Sequence, residues 1–226
     1  MSGLPEAYYD EGGITIYHGD CRDVLPHLPE ADLILTDPPY ALGGSRKEWR
    51  ATSSVSAGIG LSAQKVKIKG AMLCFSTTSG KGIEFTLGAV CGALPLNRVL
   101  FWGKDFVNSA VAGPFRWDAV AILGFGRCTF GRPSRSSYLV TKAQRATDSD
   151  DTGHPAQLPE SVGEWLYAPF YDENPDLLVI DPFVGSGTLL LPAAARGARA
   201  IGIDCDEKHC ERVATRLRQG VLFGCS

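Results

Sequence analysis

The sequence predicts an α/β fold with a largely parallel central sheet in a single domain, 1–226. Short apolar runs recur along the chain, separated by turn residues or by stretches with helical periodicity. The clearest helical stretch is 206–219, where Cys210, Val213 and Leu217 share one face and charged residues occupy the others. With 226 residues, 44% of them hydrophobic, the chain suits one substantial core.

Strands and helices alternate along the predicted order. Strands are expected near residues 13–18, 31–36, 71–77, 97–102, 117–123, 137–141, 176–181 and 199–203. Helices are expected at 80–93, 159–169, 187–197 and 206–219, the third shortened or kinked by Pro192. The stretch 43–60 is rich in Gly and Ser and lacks a periodic apolar pattern, which predicts a mobile loop.

Composition argues against several classes of protein. No apolar run approaches the roughly 20 residues that a membrane span needs, and the first residues lack the basic and apolar blocks of a signal peptide. We therefore expect a cytoplasmic protein without a membrane partner. Seven cysteines without a C-x-x-C pair predict neither a disulfide framework nor a bound metal.

The net charge of −3 hides a strong segregation along the chain. Residues 41–81 carry seven basic residues against Glu48, a net charge of +6, and residues 119–147 carry five basic residues and no acid. Residues 148–176 carry eight acids and no Lys or Arg. The two basic segments favour a phosphate-binding face, with ordinary solvated surface charge as the alternative.

The segment "LILTDPPY", 33–40, ends an apolar strand on two prolines. Because proline cannot donate to a strand ladder, Asp37, Pro38, Pro39 and Tyr40 should follow the carboxyl end of that strand. In open α/β sheets this edge binds ligands. Taken alone, a simple strand-terminating turn explains the tetrapeptide better than a binding site does.

A second motif, "LLVIDPFVGSGT" at 177–188, combines a buried strand with a turn that contains Gly185 and Gly187. A further strand ends at Asp204, about 20 residues later, where dinucleotide-type folds place an acid on ribose hydroxyls. The turn lacks the third glycine of a pyrophosphate site and the lysine of a P-loop, which favours a nucleoside ligand over NAD or ATP. A structural turn with Asp204 as a helix cap is the alternative.

Together, "TDPPY" at 36–40 and "DPFVGSGT" at 181–188, with "GHPAQLPE" at 153–160 before the latter, resemble the amino-methyltransferases of nucleic acids, which use S-adenosylmethionine. The resemblance spans residues 14–219, and its block order is that of the β group of DNA adenine-N6 and cytosine-N4 methyltransferases. It implies a Rossmann-like methyltransferase fold, with helices on both faces of the sheet and the catalytic motif before the cofactor Gly turn.

The resemblance also implies a cofactor site. The matching positions are Asp20, Asp37, His154, Gln157, Asp181, Phe183, Gly185, Gly187, Thr188 and Asp204. Asp20 would contact the adenine of S-adenosylmethionine, Asp204 its ribose, and the Gly turn its methionine part. For Asp20 the alternative is a helix cap before "CRDVL", and for His154 and Gln157 it is an ordinary polar loop.

The catalytic positions implied by the resemblance are Asp37, Pro38, Pro39 and Tyr40. Asp37 and the Pro38 carbonyl would accept hydrogen bonds from the target amine, while Pro39 restrains the backbone and Tyr40 stacks on the base. Because this amine is inaccessible inside a duplex, the base must be flipped out. Asp37 favours adenine, since Ser more often leads the turn in the cytosine enzymes.

DNA is the partner that the resemblance implies. Arg46, Lys47 and Arg50 around Trp49, together with Arg132 and Arg135, are the predicted DNA contacts. Residues 103–150 leave room only for a reduced target-recognition region. Cytosine-N4 methylation and a catalytically silent nucleic-acid-binding subunit stay open as alternatives, as do a homodimer and a cognate restriction enzyme.

Overall fold

The structure is a computed structural model that describes residues 3–39, 46–105, 119–128, 136–142 and 158–223. Within these residues the strands are β1 (Tyr9–Glu11), β2 (Ile14–His18), β3 (Ala31–Thr36), β4 (Val66–Ser76), β5 (Leu96–Asp105), β6 (Ala119–Gly126), β7 (Tyr138–Lys142), β8 (Leu178–Asp181) and β9 (Arg199–Asp204). The helices are α1 (Cys21–Val24), α2 (Arg46–Gln64), α3 (Gly80–Val90), α4 (Glu160–Glu173), α5 (Leu191–Ala195) and α6 (Glu207–Phe223), with a 3₁₀ turn at Leu25–His27.

The strands form one sheet in the order β1-β2-β9-β8-β3-β4-β6-β5-β7. Strands β1 and β6 pair antiparallel with their neighbours, and the remaining strands run parallel to one another. The predicted mostly parallel sheet is therefore confirmed. Because the parallel strands share a direction, the segments that follow β2, β3, β8 and β9 meet at one edge of the sheet.

Helices cover both faces of the sheet, as predicted. Along β3, Leu33 and Leu35 point into the core beneath α4, α5 and α6. Ile34, between them, points into the core beneath α1, α2 and α3. This alternation follows from the two-residue period of a strand, and it explains why a strand buried on both faces reads as a continuous apolar run. Among the described residues, no helix combines the length and apolar character that a membrane span requires.

Most predicted elements are present with small shifts of their ends. The strand predicted at 31–36 is observed as Ala31–Thr36. The predicted helix 187–197 is shortened to Leu191–Ala195, with Pro192 in its first turn, where a missing N–H is tolerated. The short strand β1 and the single-turn helix α1 were not predicted, because three or four residues carry too little periodicity to detect.

The prediction of a mobile loop over 43–60 is wrong from Arg46 onward, since Arg46–Gln64 forms helix α2. One face of α2 is apolar, because Val55, Ile59 and Ala63 follow one another at intervals of four residues and are buried. A β-carbon at Gly60 would lie 2.9 Å from the Ala89 carbonyl oxygen on α3, so this glycine permits close helix packing instead of a bend. Residues 43–45 lie outside the described part of the chain.

The predicted target-recognition region, about 103–150, is only partly described. Strands β6 and β7 and the end of β5 fall within it and belong to the central sheet. The rest of that range lies outside the described residues, so the assignment of a target-recognition region stays a prediction.

Candidate active site

The carboxyl edge of the parallel strands encloses a cavity of about 640 Å³, a size typical of small-molecule sites. Its walls come from the segments after β2, β3, β8 and β9 and from helix α2. The predicted site residues in its lining are Asp20, Asp37, Pro38, Pro39, Asp181, Phe183, Gly185, Thr188 and Asp204. The fold thus brings both sequence motifs, about 145 positions apart at Thr36 and Asp181, to one cavity.

The glycine turn after β8 requires glycine for two reasons. Gly185 and Gly187 have φ angles of 50° and 77°, a region that residues with side chains rarely adopt. A β-carbon at Gly187 would also lie 2.8 Å from Val213 Cγ1 on α6. The Gly187 N–H donates to the Val184 carbonyl at 2.8 Å and closes the turn. The backbone of the turn is therefore held close to both β8 and α6.

Asp204, the last residue of β9, holds the glycine turn. Its carboxylate accepts hydrogen bonds from the Gly185 N–H at 3.0 Å and the Asp206 N–H at 2.9 Å, and His209 Nδ1 lies 3.2 Å from Oδ2. Capping at the start of α6 belongs to Asp206, which accepts from the Lys208 N–H at 3.0 Å. The contact of Asp204 with a ribose stays a prediction, and the structure adds a role in shaping the turn.

Asp181 is a buried carboxyl group, 1% exposed, at the end of β8. Oδ1 accepts hydrogen bonds from Thr36 Oγ1 at 2.7 Å and from the Phe183 N–H at 3.0 Å. The pKa of Asp181 is raised to about 7, mainly by burial and to a smaller extent by the nearby carboxyl groups of Asp37 and Asp204, while the two hydrogen bonds act in the lowering direction. The carboxyl group at this position is therefore poised to change protonation near neutral pH.

Asp20 performs the helix-capping role that was the alternative for it. Its side chain accepts a hydrogen bond from the Arg22 N–H at 2.9 Å and caps α1. Hydrogen bonds from the Arg22 guanidinium hold the pKa of Asp20 below its ordinary value. Asp20 also lines the cavity, so capping and a contact with a bound adenine are compatible.

The predicted catalytic turn leaves β3 directly into the cavity. Asp37 is partly buried, Pro38 is buried and Pro39 is exposed, and all three line the cavity. The hydrogen bond from Thr36 to Asp181 ties the start of this turn to the strand that leads into the glycine turn. Tyr40 lies outside the described residues.

Helix α2 forms a wall of the cavity that the sequence did not indicate. Ser54 and Val55 line the cavity. A β-carbon at Gly58 would lie 2.8 Å from Cys21 Sγ and 2.9 Å from Phe183 Cζ, so the helix backbone packs directly on the Phe183 ring. His209 is a further lining residue that was missed. Neither α2 nor His209 belongs to a recognisable motif, although the four-residue spacing of Val55, Ile59 and Ala63 is a local signal that could have indicated the helix.

Several predicted residues cannot be placed beside this cavity. His154, Gln157, Arg132 and Arg135 lie outside the described residues. Arg46, Lys47, Trp49 and Arg50 lie in the first turns of α2, whose backbone alone is described there. Their roles stay predictions.

The fold that brings the glycine turn and the Asp-Pro-Pro turn to one cavity is similar to that of solved DNA methyltransferases. Residues 116–216 match the family model described as DNA methylase, which covers N6 and N4 enzymes. The match covers the part of the chain that contains the glycine turn, and the Asp-Pro-Pro turn after β3 precedes it in the sequence.

Individual relatives are similar over nearly the whole chain. The Type II methyltransferase M.ScaI of Streptomyces caespitosus is 22% identical over 274 residues, covering 95% of this chain and 84% of that protein. The solved M1.HpyAVI-SAM complex shares 21% identity and a TM-score of 0.69, covering 90% of this chain and 99% of that one. PvuII DNA methyltransferase, described as cytosine-N4-specific, shares 15% identity and a TM-score of 0.66, covering 94% of this chain and 92% of that one. The comparisons therefore do not distinguish adenine from cytosine.

Proposed function

We propose that this protein transfers a methyl group from S-adenosylmethionine to the exocyclic N6 of an adenine flipped out of DNA. The observation that supports it most is that the turn after β3 and the glycine turn after β8 line one cavity. The 2.7 Å hydrogen bond between Thr36 and Asp181 joins the strands that carry the two turns. A methyl donor and an acceptor amine can therefore meet at this edge.

The cavity fits S-adenosylmethionine in shape and charge. The space beside Gly185 is open, since the nearest atom to an added β-carbon is the Phe183 carbonyl oxygen at 3.8 Å. Asp181 and Asp204 are among the lining residues, and acidic side chains there suit a ligand that carries cations and hydroxyl groups. When bound, S-adenosylmethionine supplies a methyl group on a positively charged sulfur. We assign its ribose to Asp204, its adenine to Asp20 and its methionine part to Phe183 and the glycine turn.

The residues of the catalytic turn activate the adenine amine that accepts the methyl group. The lone pair of an adenine amine is delocalised into the ring, so the amine is a poor nucleophile. Hydrogen bonds from its two N–H groups to the Asp37 carboxylate and the Pro38 carbonyl draw the nitrogen toward tetrahedral geometry. Asp37 then accepts the proton that the methylated nitrogen must lose. Pro38 and Pro39 restrain the carbonyl, and Tyr40 stacks on the flipped base.

Adenine is the proposed acceptor because Asp37 leads the turn, whereas Ser more often leads it in cytosine enzymes. Cytosine-N4 methylation is the second candidate, because the fold is also similar to that of PvuII DNA methyltransferase, which is described as cytosine-N4-specific. A catalytically silent DNA-binding subunit is disfavoured, because Asp37 and the glycine turn are both intact at the cavity.

DNA contacts are proposed at the start of α2. Arg46, Lys47 and Arg50 lie in its first turns, shortly after the catalytic turn in the chain. Cations of this kind suit contacts with the phosphates that flank the flipped nucleotide. Arg132 and Arg135 remain further candidates for phosphate contacts.

The experiment that tests the function is methylation of unmodified DNA with S-adenosylmethionine, followed by digestion and mass spectrometry of the nucleosides. N6-methyladenine is the expected product. N4-methylcytosine as the product would overturn the choice of base. The absence of any methylated nucleoside, with cofactor and DNA both bound, would support the silent-subunit alternative.

A further inference from the structure

Arg216, on helix α6, stands behind the glycine turn with a side chain only 13% exposed. Its Nη1 donates to the Ser186 carbonyl oxygen at 2.6 Å and to Thr188 Oγ1 at 3.1 Å. Its Nη2 donates to Glu160 Oε1 at 3.1 Å, in the first turn of α4. One guanidinium therefore joins three segments that are distant in sequence.

Ser186 lies between the two glycines with left-handed φ angles, so its carbonyl direction defines the shape of the turn. Val213, one helical turn before Arg216, is the side chain that a β-carbon at Gly187 would meet. Helix α6 thus supports the turn twice, by an apolar contact and by a charged donor. On the side toward β9, Asp204 accepts from the Gly185 N–H.

We propose that Arg216 is a positioning residue for cofactor binding: it holds the glycine turn in its binding conformation without touching the cofactor. This inference rests on the proposed function, in which the turn receives the methionine part of S-adenosylmethionine. Ser186 and Thr188 line the cavity, whereas the guanidinium approaches them from α6. Because a charged donor to a carbonyl is strong when buried, its loss lets glycine-rich backbone sample other conformations that must be suppressed on binding.

The contact with Glu160 contributes less to this role. Glu160 is 71% exposed, so its ion pair with Arg216 is weakened by solvent. We therefore expect Glu160→Gln to change cofactor affinity by less than about twofold. The contacts with Ser186 and Thr188 carry the effect.

Arg216→Gln tests the inference against Arg218→Gln as a matched control. Arg218 lies on the same helix, is 58% exposed, and contacts Glu11 and the Tyr9 ring instead of the turn. For Arg216→Gln we expect the Kd and KM for S-adenosylmethionine to rise roughly tenfold, in line with a lost charged hydrogen bond. The kcat at saturating cofactor and the KM for DNA should stay within about twofold, as should all constants of Arg218→Gln.

Arg216→Lys keeps the charge but cannot donate from a planar fork, so its Kd for S-adenosylmethionine should rise by an intermediate amount. Such a rise would support the inference even if the Gln variant does not fold. Wild-type Kd in a folded Arg216→Gln or Arg216→Lys protein would overturn the positioning role, and so would a fall in kcat at unchanged KM. If the wild-type protein itself binds no S-adenosylmethionine by calorimetry, the proposed function fails, and the two failures are thereby distinguished.

Discussion

Thr36 Oγ1 donates a 2.7 Å hydrogen bond to Asp181 Oδ1, and both residues are almost completely buried. Thr36 ends β3, and Asp181 ends β8, the neighbouring strand in the sheet. This contact connects the strand that leads into the proposed catalytic turn with the strand that leads into the glycine turn. The contact adds to the parallel backbone pairing of β3 with β8 at the end of the sheet from which both turns leave.

Thr36→Val should lower the free energy of unfolding by about 1–3 kcal/mol, because the Asp181 carboxyl loses one of its described buried partners while the side-chain shape is kept. Urea denaturation measures the change. Thr15→Val is the matched control, since its hydroxyl donates to Asp10 at 2.9 Å on the exposed surface and should contribute less than about 0.5 kcal/mol. Equal losses in both variants would contradict the importance of the buried contact.

Asp181→Asn should change the pH dependence of stability. Burial raises the pKa of Asp181 from 3.8 to about 7, so the folded protein holds this proton more tightly than the unfolded chain does. The contribution of this group therefore falls as pH rises from about 4 to about 7 and is constant above that range. Relative to wild type, the Asn variant should gain up to about 4 kcal/mol across this window. Urea denaturation of both proteins at a series of pH values measures this change. A difference in unfolding free energy between them that stays constant with pH would refute the raised pKa of Asp181.

Asp37→Ala should abolish methyl transfer and leave DNA affinity largely intact. Loss of the charged acceptor for the target amine could raise the barrier by several kcal/mol, with about 1.4 kcal/mol for each tenfold loss of rate. Methyl transfer from labelled S-adenosylmethionine measures the rate, and fluorescence anisotropy measures DNA binding. Turnover close to that of wild type would eliminate Asp37 from the mechanism.

Gly58→Ala should weaken cofactor binding, because the added β-carbon would lie 2.9 Å from Phe183 Cζ and displace that ring toward the cavity. Gly88→Ala is the matched control, since it lies in helix α3 with no atom within 4 Å of the added carbon. Both changes gain helix propensity of about 1 kcal/mol, so the difference between them reports the close packing of Gly58 on Phe183 and Cys21. Calorimetry with S-adenosylmethionine should show wild-type affinity for Gly88→Ala and a lower affinity for Gly58→Ala.

Replacement of Arg46, Lys47 and Arg50 by Ala should weaken DNA binding and reduce its salt dependence. Each lost phosphate contact lowers the slope of log K against log salt by about 0.9. Cofactor affinity should be unchanged, which also serves as the test that the variant is folded. Identical salt slopes for the variant and the wild type would exclude these residues from phosphate binding.

The central strands could be predicted because a buried strand consists of consecutive apolar residues, which can be recognised locally in the sequence. β3, for example, is a continuous apolar run that stops at two prolines, and its observed bounds match the prediction. Helix α2 could not be predicted in the same way. Its Gly- and Ser-rich composition predicts a mobile loop, although Gly58 packs on Phe183 and Gly60 on Ala89. A glycine that permits bending and one that permits close packing are identical in sequence, and only a neighbour in space distinguishes them.

The sequence by itself determined the α/β class, the two turns and the residues that belong to them, because strand periodicity, proline geometry and glycine turns act over a few neighbouring residues. The tertiary structure decided which side chains support those turns. Arg216 reaches the turn from 30 positions away, and Thr36 meets Asp181 across 145 positions. Such contacts depend on strand order and helix placement, which are properties of the whole chain, so no short stretch of residues can specify them.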